Sequence, residues 1–98
     1  MSLGYLVGLD VGTTGAKALV STAGGQTLAQ GHARLDWQAT RWGAETAAQA
    51  IFDAALEAVR RALRQAPAGP VAAIGIASFA ESSVLLGDTG EPVGPVIA

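Results

Sequence analysis

The stretch YLVGLDVGTTGAKALV, residues 5 to 20, sets an acid and a Gly-Thr turn between two apolar runs, and it constrains the chain more than any other feature. Residues 5 to 9 read as a short buried strand that ends at Asp10 and the glycine-containing turn. After Gly15 the text AKALVST alternates small and apolar residues, and AGG at 23 to 25 is the punctuation of a tight reversal. Short turns join antiparallel neighbours, because a parallel return needs a crossover of roughly a dozen residues or more. The more polar piece QTLAQGHARLDW, residues 26 to 37, alternates in part and is predicted as a third antiparallel strand. The three strands then form a meander.

TRWGAE is predicted as a loop, with Thr46 as the N-cap of a helix from Ala47 to Gln65. Phe52, Leu56, Val59 and Leu63 recur at helical spacing and define its apolar face. Asp53, Glu57, Arg60, Arg61 and Arg64 fall largely on the other side. Glu57 can pair with Arg61 one turn later, and the late arginines suit the negative pole of the helix dipole. PAGP at 67 to 70 stops the helix. VAAIGIASF is almost continuously apolar, as in a strand covered on both faces, which implies a parallel neighbour reached through the helical crossover. SVLLGDTGEPVGPVIA reads as two short extended pieces around the turn GDTGE. The fold class is therefore α/β: an antiparallel meander of three strands, a crossover helix and a parallel strand.

With 98 residues the chain is read as one small domain, 1–98. Half of the residues are apolar and 14% are charged, so a packed interior is expected rather than disorder. A net charge of −2, with six basic residues scattered along the text, argues against nucleic acid or an anionic membrane as partner. There is no cysteine, no basic region ahead of the first apolar run and no run of membrane-spanning length, and together these point to a cytoplasmic protein.

Two glycine motifs fail on the first turn. Lys17 lies between two alanines, where a P-loop needs Lys-Ser or Lys-Thr after its second glycine. No Gly-x-Gly-x-x-Gly occurs, and the turn leads into a strand instead of a helix. The residues still suit a phosphate. Gly12 and Gly15 are expected to allow positive φ and turn N–H groups inward, Thr13 and Thr14 add hydroxyl donors, and Lys17 adds a positive charge. Asp10, at the mouth of the strand, suits a hydrated Mg²⁺ beside a triphosphate. The same residue types also make hairpin turns that bind nothing, and the turn by itself leaves both readings open.

In its order of residues, GLDVGTTGAKALV resembles the first phosphate motif of the FGGY family of carbohydrate kinases, part of the superfamily of sugar kinases, actin and chaperone ATPases with an RNase H-like fold. WGAET resembles the family's Gly-Ala-Glu or Trp-Ala-Glu segment, although Thr46-Ala47 replaces the usual acid-proline helix start. VAAIGIASFAESSVLLGDTGEPVGPVIA, residues 71 to 98, is similar to the family strand that leads into a substrate loop, so the resemblance spans nearly the whole chain. It implies ATP-dependent phosphorylation of a sugar or sugar-derived hydroxyl, with ATP and Mg²⁺ as cofactors. It assigns Asp10 to the metal and phosphates, Gly12, Thr13 and Thr14 to the phosphate turn, and Lys17 to the basic position near the γ-phosphate. Ala80, Glu81 and Ser82 fall in the substrate loop, with Glu81 where glycerol kinases carry a glutamate and xylulose or gluconate kinases a histidine. Phe79 and Ala80 replace the polar or basic residues of the glycerol kinase loop, which argues against glycerol, and the Met-His pair of xylulose kinases is also absent.

Other residues carry plainer readings. Ser78, Ser82 and Ser83 either meet the sugar or cap the loop. His32, the one histidine, is placed away from both motifs as an edge-strand residue, and Arg60, Arg61 and Arg64 form a solvated helix face. Trp37 and Trp42 either stack on a sugar ring or pack over the sheet edge. Family members are much longer and draw their general base, an aspartate, from a later segment. The chain is therefore expected to be an N-terminal piece, with no catalytic residue among its 98 and without the second domain. The partners implied are a small sugar and ATP, with a homodimer left open. The alternative is a non-catalytic actin-like or sugar-sensing domain of the same superfamily.

Overall fold

The computed structural model describes residues 4–41, 43–78 and 82–97. In chain order the elements are β1 (Tyr5–Val11), β2 (Gly15–Ser21), β3 (Thr27–Arg34), β4 (Gln38–Thr40), β5 (Gly43–Thr46), α1 (Ala48–Gln65), β6 (Val71–Ser78) and β7 (Val96–Ile97). The main sheet has the order β3-β2-β1-β6. Its first three strands are the antiparallel meander, and β6 returns parallel to β1 after the α1 crossover, as the sequence implies. A small sheet, β4-β5-β7, stands beside it.

Alternation decides what is buried. Val7, Leu9 and Val11 of β1, Ala16, Ala18 and Val20 of β2, and Ala29 and Ala33 of β3 form the covered face, against Ala54, Ala58 and Ala62 of α1. The small residues let the helix come close. A Cβ on Gly31 would collide with the Ala58 carbonyl oxygen and the Ala62 nitrogen, so only glycine fits beneath this turn of α1. β1 is consequently covered on one face only, with Leu6 and Asp10 exposed on the other.

The helix face differs from the one expected. Phe52 is 60% exposed, and the deepest stripe is the alanine series, lying roughly a third of a turn away at about 3.6 residues per turn. Val59 and Leu63 border the core instead of centring it. The helix starts at Ala48, and its N-cap, Ala47, has no side chain that could bond an end N–H. Thr46, the expected cap, donates its hydroxyl to the Asp36 carbonyl at 3.2 Å instead. The Glu57–Arg61 pair forms at 3.1 Å, with Arg64 at 3.8 Å from the same oxygen.

Two further expectations are corrected. TRWGAE contributes to the β4–β5 hairpin, which Gly43 enters with φ of 135°, a conformation that strains any side chain. β6 is exposed along its whole length, not covered on both faces. As an edge strand it lies beyond the reach of α1, which packs over β3 and β2, so Ile74 (50%) and Ile76 (67%) stay open. The PAGP stop is tied back to β1, where Tyr5 donates its backbone N–H to the Pro70 carbonyl and its hydroxyl to that of Pro67, both at 2.8 Å.

Candidate functional site

The turn after β1 is closed by a hydrogen bond from the Gly12 N–H to the Gly15 carbonyl at 2.8 Å. It is braced from the next connection, where the Leu35 N–H donates to the Thr14 carbonyl at 3.1 Å. Positive φ plays no part in it, contrary to expectation: the glycines with positive φ are Gly4, Gly25, Gly43 and Gly90. Gly15 is needed for another reason. A Cβ there would run into the Ala33 carbonyl oxygen across the β2–β3 pair, so the glycine lets β3 close on the turn.

Because Val11 and Ala16 face the helix, their neighbours Asp10 and Lys17 must face the other way. The two are direct cross-strand partners, and in antiparallel strands such side chains start only about 4.5–5.5 Å apart at Cβ. Both are exposed. Beside them lies a cleft of ≈ 410 Å³, bordered by Asp10, Gly12, Thr14, Gly15 and Lys17 of the hairpin and by His32 and Arg34 of β3. Thr13 is exposed at the tip and does not border the cleft. Of the residues selected from the sequence, the structure thus gathers Asp10, Gly12, Thr14 and Lys17.

His32 is an exposed edge-strand residue, as expected, but it is the cross-strand partner of Lys17 and not remote from the motif. Arg34 was missed altogether; it is the partner of Gly15 and holds Asp36 at 2.8 Å through its Nε. The signal for both is the β2–β3 register, which no local pattern in the sequence carries.

Ala80 and Glu81, from the expected substrate loop, lie outside the described residues, as does Trp42. Ser82 borders a second hollow of ≈ 300 Å³ with Val11, Ile51, Ser78 and Ser83. Val11 and Ser78 are register partners at the carboxyl ends of the parallel strands β1 and β6, the end at which open α/β sheets bind ligands. The two hollows therefore meet the same end of β1, one bordered by Asp10 and the other by Val11. Ser83 exchanges backbone hydrogen bonds with Ile97 at 2.9 and 3.1 Å, which anchors the segment on β7. A larger hollow, ≈ 680 Å³ at the start of α1, is bordered by Glu45 and Phe52 and, among the described residues, by no cation. Trp37 packs against the core.

Among the described residues no cluster of three or more side chains that could ligate a metal occurs. No helix among the described residues is long and apolar enough to cross a membrane.

Comparison with known proteins bears on the family and the fold. The chain is 37% identical over 93 residues to the glycerol kinase of Geobacter sp. (strain M21), covering 91% of this chain and 19% of that protein. Its fold matches the gluconate kinase of Lactobacillus acidophilus with a TM-score of 0.86 at 30% identity, over 95% of this chain and 19% of the other. The ligand-bound xylulose kinase of the same organism gives 0.85 at 30% identity, over the same shares. The chain thus spans about a fifth of the length of these relatives, and the α/β fold is that of the N-terminal part of sugar kinases. Residues 5–98 match the N-terminal domain of the FGGY family of carbohydrate kinases, and the chain belongs to that family.

Proposed function

We propose that this chain supplies the phosphate turn and part of the sugar site of an ATP-dependent carbohydrate kinase. The observation that carries the reading is the pairing of Asp10 with Lys17 on the open sheet face, beside a turn whose glycines admit close approach. A γ-phosphoryl group in transfer spreads negative charge over its equatorial oxygens, and catalysis rests on positioning and charge stabilisation. The Lys17 ammonium meets that charge, and the Thr14 hydroxyl and the backbone N–H groups of the turn orient the phosphates. Asp10 would hold a hydrated Mg²⁺, which would supply positive charge to offset that of the phosphate oxygens.

On this reading the sugar lies on the other side of the end of β1, in the hollow bordered by Ser82, and Glu81, the preceding residue in the sequence, accepts its hydroxyl hydrogens. This brings an acceptor hydroxyl and a phosphate chain to one strand end from opposite faces. No residue of the 98 is assigned as general base. On this reading the general base and the remainder of the nucleotide site lie outside these 98 residues, and the chain by itself should show no sugar-dependent ADP release. Sugar-dependent ADP release by the longer protein, assayed over ketoses, aldonates and polyols, tests the reading. It predicts turnover that collapses in Asp10→Ala; unchanged turnover with only an altered sugar KM overturns it.

A further inference from the structure

We infer that β3 forms a second wall of the phosphate cleft and that His32 donates a ring N–H to a phosphate oxygen on the side of Lys17 away from Asp10. The inference rests on the phosphate reading above and extends it to a residue outside the glycine turn.

The register brings Asp10, Lys17 and His32 into one cross-strand row, Asp10 opposite Lys17 and Lys17 opposite His32. Side chains in such a row share a face, and two strand spacings separate its ends by about 10 Å. Acid, lysine and histidine thus follow one another in a line, along which a polyphosphate presents repeated anionic oxygens.

The row cannot slip. Gly31 lies under α1 where no Cβ fits, and a shift of one residue would drive the imidazole into the helix. From the helix side, Arg61 Nη1 donates to the His32 carbonyl at 2.6 Å and fixes the backbone while leaving the ring on the cleft face. Arg34 borders the same cleft, but its Nε is held by Asp36 at 2.8 Å. The His32 ring makes no side-chain hydrogen bond among the described residues, and an imidazole always carries at least one N–H to donate.

His32 is the sole histidine, so its ring gives an unambiguous NMR signal. The 98-residue chain is titrated with sodium tripolyphosphate while the ring carbon-proton signal and the backbone amides are followed. The expected result is that the ring signal and the amides of residues 12 to 17 move along one binding curve. His32→Ala should weaken binding about three- to tenfold, the range of one hydrogen bond, and His32→Gln, which keeps an N–H donor, should recover most of it. If the turn amides move but the ring does not, and His32→Ala binds as tightly, the phosphate reading stands and the role of His32 is overturned. If neither moves, the phosphate reading fails and this inference with it.

Discussion

Asp10 of β1 and Lys17 of β2 stand directly opposite each other on the sheet face turned away from α1, one pair before Val11 and Ala16, where the strands part into the turn. On the proposed function, the pairing would set an acceptor for a hydrated cation next to a donor for phosphate oxygens, an order that serves the transferring group more than the bound sugar. In the longer protein, Asp10→Ala and Lys17→Met should therefore lower kcat with little change in sugar KM. For Lys17→Met the loss should be at most about a thousandfold, the low end for phosphate-clamping charges. Steady-state kinetics with sugar varied at saturating ATP separate the two. Unchanged kinetics in Lys17→Met would make Lys17 an ordinary strand-surface residue.

Gly31 and the backbone of α1 at Ala58 and Ala62 are in close approach, and neither partner is the flexible end of a side chain. Gly31→Ala should then destabilise the fold by about 1–3 kcal/mol through overpacking, and Gly31→Val by more. The midpoint of urea unfolding reads the effect directly. Because β3 carries His32 to the cleft, weaker tripolyphosphate binding should accompany it. A Gly31→Ala chain as stable as the original would show that α1 rides higher on the sheet.

What could be read from the sequence follows from how local each signal is. The β1–β2 hairpin and Asp10, Gly12, Thr14 and Lys17 sit within a few residues of one another, so one turn decides them. The parallel placement of β6 follows from a helix of crossover length. The buried face of α1 was misread because the large residues Phe52 and Leu56 dominate a periodicity, whereas packing favours the closest approach, made by Ala58 and Ala62 over Gly31. His32 was read correctly as an edge-strand residue, but its nearness to the turn escaped because that depends on two registers and on the tight connection from Thr22 to Gln26, whose backbone groups bond at 2.9 Å. The β4–β5 hairpin escaped because its strands are polar and only three and four residues long.

β6 is uncharged, eight residues long and exposed throughout, and its outer edge is unpaired in the main sheet. Such an edge templates pairing with another strand. The isolated 98-residue chain should accordingly self-associate as its concentration rises, and Ile76→Lys, which puts a charge on the open strand without removing a core residue, should suppress this. Sedimentation velocity over a concentration series makes the comparison. Equal association in both chains would place the contact elsewhere, with the exposed Phe52 the next surface to alter.

Glu81 adjoins Ser82, which borders the hollow at the end of β1 opposite the phosphate cleft, and the sugar reading rests on that separation. A carboxylate that accepts sugar hydroxyls does so before and during transfer alike. Glu81→Ala should therefore raise the sugar KM of the longer protein and leave ATP affinity nearly unchanged. Losing a charged acceptor against a hydroxyl is worth roughly 1.5–3 kcal/mol, or about ten- to a hundredfold. Glu81→His is the sharper test, since it installs the residue type that the family resemblance places here in xylulose and gluconate kinases. If this loop selects the substrate, the order of preference among ketoses, aldonates and polyols should change instead of falling evenly. Identical rank order in both proteins across such a panel would remove Glu81 from the sugar site and leave the choice of substrate to the serines around the hollow.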